Sequence, residues 1–396
     1  MKKKLSILLT LALTTSLMLG CSEDTEKVEL PESNQIVQNK NLNKSTDINV
    51  VANDPIEKIL AEMSIEEKIG QMTMIGIHGY EVNESNTNDD IIYSLKNFGF
   101  GGVILYTRNI ENREQVKKLV SQLQKNKLNK NVPLFIAIDE EGGKVSRLKQ
   151  IENEVAPAQE IIGNSGDTSW AKEWAIKTAK KIKFLGINTN FAPVADVGSP
   201  DTRSFSNNAQ ITSEFVDSAA QGYEEEKIIY CLKHFPGIGK RITDPHQEIS
   251  NIDVSRETLE KEDLIPFKYI IKNHSSDKFM IMVSHLKYPS IDPDNAATLS
   301  YEVMSNLLRK ELGFDGIIIT DDLEMGAISN HNTFKEVGVK AVKAGADILL
   351  VCHEYSHEQD VYNGLLAAVK SGEISEERIN ESVRRILKVK LDNLKE

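Results

Sequence analysis

The stretch IIYCLKHFPGIGKRITDPH (residues 228–246) joins an apolar run to a polar loop rich in glycine and proline. Its first five residues are apolar, and four of them are β-branched, aromatic or aliphatic, which is typical of a buried strand. The run ends in Lys233 and His234, and the loop carries Asp244 and His246, two residues apart. In an extended segment both side chains can point the same way, and a carboxylate beside an imidazole suits a general acid/base. The alternative is a surface loop in which Asp244 caps a turn.

Seven similar runs share the chain with this one, and amphipathic stretches separate most of them. The predicted strands are 72–77, 102–106, 134–138, 189–194, 228–232, 280–283, 316–319 and 347–351. The predicted helices are 56–71, 88–97, 111–128, 169–185, 211–226, 256–272, 301–312, 333–345, 358–371 and 376–394. Eight strands that alternate with helices indicate an α/β fold, a (β/α)8 barrel. An open doubly wound sheet is the alternative, because alternation does not show closure.

Polar clusters follow five of the eight predicted strands. They are Asp139–Lys144 with Arg147, Asp196 with Arg203–Phe205, Lys233–His234, Ser284–His285, and Thr320–Met325. In a (β/α)8 barrel the carboxyl ends of all strands meet at one rim, where the active site lies. We therefore expect these five clusters to form one site.

Carboxylates and cationic donors together are what glycoside hydrolysis requires. A nucleophile and an acid flank the bond, and an oxocarbenium-like state is stabilised between them. Asp321 ends a strand at the inner rim, where a nucleophile would stand, and Asp139 could hold sugar hydroxyls through charge-assisted hydrogen bonds. Arg147, Arg203 and Lys233 are donors that would also keep neighbouring carboxylates ionised.

Several short motifs resemble those of family 3 glycoside hydrolases of the β-N-acetylhexosaminidase type. They are Lys233–Gly237 with Asp244-x-His246, Asp139-x-Glu141-Gly142-Gly143, Phe191–Val194 with Asp196, Arg203–Phe205, His285 with Tyr288-Pro289, Thr298–Ser300, Gly313-Phe314-x-Gly316, and Asp321–Leu323 with Met325. The resemblance covers about residues 56–392 in the family's order.

The resemblance implies a retaining exo-enzyme that removes terminal β-N-acetylglucosamine from peptidoglycan fragments (muropeptides). It implies one catalytic domain, residues 54–396, with no cofactor and no metal. Asp321 would be the nucleophile, and His246, oriented by Asp244, would protonate the leaving oxygen and later activate water. The residues that would bind the sugar are Asp139, Arg147, Arg203, Lys233 and His234.

The sequence departs from the family pattern in two places. The family usually has Gly-His-Gly-Asp-Thr where this chain has Gly237-Ile238-Gly239-Lys240-Arg241. Since the dyad itself is kept, we expect an effect on the loop or the rate rather than on the mechanism. Lys144 replaces the usual arginine of the Glu-Gly-Gly motif, which could loosen a bidentate contact.

Other functions remain open at this level. Within enzymes the alternatives are a family 3 β-glucosidase and a phosphorylase. A non-catalytic sugar-binding lipoprotein would keep the cationic donors but would not need Asp321 or the dyad.

His353 and His357 match the H-E-x-x-H zinc signature, yet that motif needs a helix and here follows a predicted strand. Asp322 is predicted to point away from the cavity, because strand side chains alternate.

The N-terminus resembles a bacterial lipoprotein signal. Three lysines, 2–4, precede an apolar stretch from Leu5 to Leu19 that is short for a membrane span. We expect cleavage of residues 1–20 and a lipid on Cys21; a plain secretory signal is the alternative. Residues 21–53 would then be a flexible tether, and the protein would be a monomer anchored to the cell membrane on its extracytoplasmic face.

Charge and cysteine content limit the partners. The net charge is −12, and without residues 1–20 it would be −15, from 44 basic and 59 acidic side chains. Such a balance argues against nucleic acid as a partner, and against an anionic membrane surface other than through the lipid anchor. Cys231 and Cys352 lie in apolar runs, so we expect two buried thiols rather than a disulfide.

Overall fold

Eight parallel strands close into a barrel in the computed structural model of this chain, which describes residues 54–81, 91–241 and 250–394. Each strand pairs with the next along the chain, and the last pairs with the first. The closed barrel confirms the (β/α)8 prediction and excludes the open sheet. The strands are β1 (Thr73–Ile75), β2 (Gly102–Leu105), β3 (Phe135–Ile138), β4 (Thr189–Asn190), β5 (Ile229–Phe235), β6 (Phe279–Val283), β7 (Ile317–Asp322) and β8 (Ile348–Val351).

Helices surround the barrel close to the predicted positions. They are Pro55–Glu62, Ile65–Gln71, Ile91–Asn97, Arg113–Asn126, Gln159–Asn164, Thr168–Phe184, Ala209–Glu225, Arg256–Lys261, Ile265–Asn273, Gly326–Ser329, Phe334–Ala344, Tyr355–Lys370 and Glu376–Asn393, with a π-helix at Glu302–Glu311 and 3-10 turns at Thr107–Asn109 and Ala297–Leu299. Within the described residues no helix has both the length and the apolar character needed to cross a membrane.

The helix predicted over residues 56–71 is two helices. Ser64 starts the second one, because its hydroxyl accepts the backbone N–H of Glu67 while the Glu67 carboxylate accepts that of Ser64. This capping box fixes a helix start inside a continuous amphipathic pattern. The predicted helix 256–272 is also two helices, Arg256–Lys261 and Ile265–Asn273, but the second begins without a side-chain cap and with Pro266 in its first turn. The pattern of apolar residues alone does not reveal such breaks.

The barrel interior is apolar, as a parallel sheet covered on both faces requires. All residues of β3 and β6 are buried. The thiols of Cys231 and Cys352 are buried and unpaired, and burial raises the pKa of both. The prediction of two buried thiols is therefore confirmed.

Two short hairpins at the carboxyl ends of the strands were not predicted. Glu140–Gly142 pairs with Val145–Ser146, and Lys287–Tyr288 pairs with Asp292–Ala296. Gly142 has a φ of 97°, which a side chain would strain, so glycine permits the turn of the first hairpin. The predicted boundaries at residues 20 and 53 lie outside the described residues and stay predictions.

One buried carboxylate joins β8 to the helical layer. Asp347 is fully buried and accepts hydrogen bonds from the backbone N–H of Ile318 (2.9 Å) and from the hydroxyl of Ser382 (2.7 Å). Arg309 and Arg385 also donate to it, and Arg378 lies within 3.9 Å. Burial alone would raise the pKa of Asp347, but the three guanidinium groups lower it. The carboxylate thus compensates buried positive charge from two helical segments.

We expect Asp347→Ala to lower the free energy of unfolding by about 3–5 kcal/mol, because it leaves buried guanidinium groups without a counter-charge. Urea unfolding measures the loss. Asp360→Ala removes an exposed carboxylate 3.5 Å from Lys335, away from this cluster, and should change stability by less than about 0.5 kcal/mol. Equal losses in the two variants would contradict the role of Asp347.

Candidate functional site

A cavity of about 770 Å³ opens at the carboxyl ends of the strands. Its walls come from the connections that follow most of the strands. Six predicted site residues line it: Asp139, Arg147, Arg203, Lys233, His234 and Asp321. The expectation that the polar clusters meet at one rim therefore holds for these six, while their individual roles stay predictions.

The ammonium group of Lys233 lies between two carboxylates. It is 2.8 Å from Oδ1 of Asp139 and 2.6 Å from Oε1 of Glu141. Arg147 reaches the other carboxylate oxygen of Asp139 at 3.1 Å. Lys233 lies in β5 near its carboxyl end, and the carboxylates follow β3, so this contact spans the strand between them, β4. These ion pairs fix the positions of the charged side chains before any ligand enters.

Glu141 is a site residue that we did not single out. It binds Arg203 bidentately, with both nitrogen–oxygen distances at 2.8 Å, and its side chain is 2% exposed. The pair matches the planar geometry of guanidinium and carboxylate. Its place in the Glu-Gly-Gly motif was the available signal. Glu141 thereby orients both Lys233 and Arg203 toward the cavity.

His234 is held in one orientation by Asp196. The Nδ1 atom of His234 lies 2.8 Å from Oδ2 of Asp196, and Nε2 lies 3.3 Å from a guanidinium nitrogen of Arg203. A carboxylate only accepts and a guanidinium only donates, so this pattern fits the tautomer with its proton on Nδ1. Asp196 also accepts the backbone N–H groups of His234 and Ile238. Asp196, from one predicted motif, therefore fixes the orientation of His234, from another.

Opposite charges dominate the titration of the cluster. Burial would raise the pKa of Asp139, but Lys233 and Arg147 hold it well below its usual range. Burial would raise the pKa of Glu141 as well, but Lys233 and Arg203 lower it. For Lys233 burial lowers the pKa, yet the two carboxylates raise it above the ordinary value. The cluster is consequently fully ionised near neutral pH.

Asp321 and Asp322 both line the cavity, so the prediction that Asp322 points away is wrong. In the pairing of β7 with β8, three steps from Ile319 to Asp322 match two steps on the partner strand. Such a bulge interrupts the alternation of side chains. Oδ1 of Asp321 accepts the N–H of Asp322, and Oδ2 of Asp322 lies 3.1 Å from Nε2 of His353.

His285 supports this strand end from below. Its ring is buried, and its two nitrogens lie 2.7 Å from the carbonyl oxygen of Asp322 and 2.7 Å from Oγ1 of Thr298. A carbonyl oxygen only accepts, so Nε2 carries a proton. His285 thus fixes the backbone beside Asp321 and does not face the cavity.

The zinc-like motif is divided between a loop and a helix. His353 precedes the helix Tyr355–Lys370, whereas His357 lies within it. His357 Nδ1 is 2.7 Å from Glu324, which also accepts the backbone N–H groups of residues 352–354. Among the described residues no group of three or more His, Cys, Asp or Glu side chains has the arrangement to hold a metal ion.

The dyad Asp244–His246 lies outside the described residues. The described chain before it ends at Arg241, which binds Asp201 at 2.5 Å. Lys240 binds Asp263 at 2.5 Å and Glu262 at 3.0 Å. Lys240 and Arg241 depart from the family's loop pattern. Arg241 contacts the connection after β4, and Lys240 contacts a later part of its own connection, which follows β5.

The depressed pKa of Asp139 predicts a pH-dependent stability. A carboxylate whose folded-state pKa is lowered stabilises the fold above its unfolded value, about 4, and this contribution is lost as the pH falls through that value toward the folded one. We expect the free energy of unfolding to fall less steeply from pH ~6 to pH ~3 in Asp139→Asn than in the wild type. Urea unfolding across this range measures it.

The matched control is Asp360→Asn, which removes an exposed carboxylate 3.5 Å from Lys335. Its pH profile should be parallel to that of the wild type, because a surface pair contributes little. A wild-type slope in Asp139→Asn would show that the cluster does not stabilise the folded protein.

Comparisons with known proteins identify the family of this chain and several of its relatives. A sequence model of the family described as "Glycosyl hydrolase family 3 N terminal domain" matches residues 64–389. The chain is 33% identical over 325 residues to β-hexosaminidase A of Pseudoalteromonas piscicida, covering 75% of this chain and 54% of that protein. It is 34% identical over 260 residues to a β-hexosaminidase of Haemophilus influenzae, covering 64% and 72%.

A solved structure supports the same relationship. The glycoside hydrolase family 3 β-N-acetylglucosaminidase from Paenibacillus sp. str. FPU-7 superposes with a TM-score of 0.78 at 37% identity, covering 84% of this chain and 63% of that chain. This chain spans about half the length of the Pseudoalteromonas relative. Since the family's sequence model matches residues 64–389, most of the sequence, the chain belongs to glycoside hydrolase family 3.

Proposed function

We propose that the chain is a retaining exo-β-N-acetylglucosaminidase. The observation that carries the proposal is the position of Asp321, half-buried at the end of β7, in the same cavity as the ionised cluster around Lys233. A carboxylate at a strand end and a set of fixed donors at the same rim suit nucleophilic attack on a bound sugar. The names of the relatives, β-hexosaminidases and a β-N-acetylglucosaminidase, support the same reaction.

The proposed chemistry has two steps. In the first, the Asp321 carboxylate attacks the anomeric carbon, the glycosidic carbon–oxygen bond breaks, and the leaving oxygen takes a proton from His246. In the second, His246 takes a proton from water, which attacks the same carbon and releases Asp321. Asp244 would orient the imidazole, as a carboxylate partner does. This order is that of a retaining glycosidase, with an imidazole in place of the usual carboxylic acid.

The cationic residues would hold the sugar. Asp139 is an ionised carboxylate, and its two oxygens are bound by Lys233 and Arg147. Lone pairs remain on these oxygens to accept hydrogen bonds from sugar hydroxyls. Arg203 would donate from the adjoining wall, and His234, whose Nδ1 proton is bound by Asp196, would line the site and hold Arg203 through Nε2. Because Glu141 and Asp196 fix these groups beforehand, little ordering is required when the sugar binds.

The proposed natural substrates are muropeptides, and the proposed site of action is the extracytoplasmic face of the cell membrane. The sequence supports this with the lipoprotein-like signal that ends at Cys21. An anchored enzyme would meet cell-wall fragments where they are released. The proposal includes no cofactor.

Asp321 provides the first test. We expect Asp321→Asn to fold, judged by near-UV circular dichroism, and to release nitrophenol from a nitrophenyl β-N-acetylglucosaminide at least roughly 10³-fold more slowly, because the nucleophile is lost. Asp321→Ala should lose activity as well. Asp315→Asn, an exposed change before the same strand, is the matched control. Wild-type turnover in Asp321→Asn would overturn the mechanism.

The same assay separates the alternatives. Wild-type protein is offered paired nitrophenyl glucoside and N-acetylglucosaminide, each with and without inorganic phosphate. Preference for the glucoside would indicate a β-glucosidase, and sugar 1-phosphate as the product would indicate a phosphorylase. No turnover of either sugar would favour the sugar-binding lipoprotein.

His246 provides the second test. We expect His246→Ala to lower kcat/KM by roughly 10²–10⁴-fold on a muropeptide, whose leaving oxygen needs a proton. The loss on a nitrophenyl substrate should be smaller, because nitrophenolate leaves unprotonated. Equal losses on both substrates would mean that His246 is not the acid, and a wild-type value on both would remove it from the reaction.

A further inference from the structure

The end of the barrel opposite the active-site cavity carries a second depression, of about 720 Å³. Its walls include Pro133, Asn188 and Ile228, which precede β3, β4 and β5 at their N-terminal ends. Barrel chemistry takes place at the other end, so this face has no part in the proposed hydrolysis. We refer to it as the lower depression.

Five lysines line the lower depression, and no aspartate or glutamate does. They are Lys117, Lys127, Lys130, Lys183 and Lys227. In the part of the chain that the structure describes, none of these five ammonium groups lies within 4.0 Å of a carboxylate; the nearby Glu226 pairs instead with Lys180. A chain of net charge −12 thus concentrates uncompensated positive charge on one face.

The few contacts of these lysines leave their charge available. Lys183 donates to the backbone carbonyl of Glu226, Lys130 donates to that of Lys125, and Lys117 lies 4.4 Å from the ring centre of Phe184. Burial, and after it the neighbouring ammonium of Lys130, lowers the pKa of Lys127. An external anion would relieve this repulsion.

Exposed apolar side chains accompany the charge. Phe184 is 55% exposed in the wall of the lower depression, and Leu128, 40% exposed, lies between Lys127 and Lys130 in the chain. Lysines around protruding apolar groups are the arrangement by which proteins rest on anionic lipid: the ammonium groups meet the headgroups, and the apolar groups enter the boundary with the acyl chains.

We propose that the lower depression docks the protein on an anionic phospholipid surface. Docked in this way, the active-site cavity faces away from the membrane, toward the cell wall. The net charge led us to expect no attraction to such a surface beyond a lipid anchor, but the uneven distribution of the lysines outweighs the total at short range.

The test measures contact of this face with lipid in the full-length chain. Two variants place a tryptophan on exposed aromatic positions: Phe184→Trp in the lower depression, and Tyr301→Trp, 49% exposed in the connection after β6. Both keep the native Trp170 and Trp174. In vesicles that contain phosphatidylglycerol and brominated lipid, fluorescence quenching should be strong for Phe184→Trp and weak for Tyr301→Trp. Attachment through the N-terminus alone would quench the two equally and would overturn the proposal.

Charge is tested in the Phe184→Trp background. Lys127→Gln with Lys227→Gln should lower the ratio of docked to undocked protein roughly 30-fold, which is about fivefold for each lysine. The control pair is Lys261→Gln with Lys335→Gln, at exposed positions elsewhere, and should leave quenching unchanged. Equal quenching in purely phosphatidylcholine vesicles, or an unchanged signal in the Lys127/Lys227 variant, would refute anionic docking. Binding of a soluble polyphosphate without quenching by vesicles would assign the lysines to another anion.

Discussion

The ammonium group of Lys233, buried between Asp139 and Glu141, is the contact on which the rest of the site depends. It joins the end of β5 to the hairpin after β3, and through the two carboxylates it orients Arg147 and Arg203. A charge in this position is stable only while both partners are present. The apolar barrel below keeps water out, so these ion pairs are stronger than surface pairs.

The barrel could be predicted because the sequence pattern that produces it is local and repeats along the chain. Each buried strand shows as a short apolar run, and each run is followed by a helix with one apolar face. Polar residues after the runs located the rim without reference to any contact. The helix break at Ser64 was missed because a capping box is a specific hydrogen-bond pair inside an unbroken apolar pattern.

The sequence predicted many of the residues that belong to the site, but not which of them contact each other. Glu141 and Asp196 belong to recognised motifs, but their partners Arg203 and His234 are far away in sequence, so only the fold reveals the pairing. Asp322 was misplaced because a bulge shifts the alternation that the prediction assumed. Lys240 and Arg241, departures from the family pattern, bind carboxylates that the family pattern does not mention.

The bulge in β7 has a consequence for inhibitors. It places two successive carboxylates in the lining of one cavity, and His353 lies 3.1 Å from only the second of them. A sugar mimic with a protonated ring nitrogen would be attracted by the negative charge of both carboxylates. A neutral lactone of the same shape would interact with them only through its dipole. Selectivity between cationic and uncharged mimics would therefore arise from one extra residue in a strand.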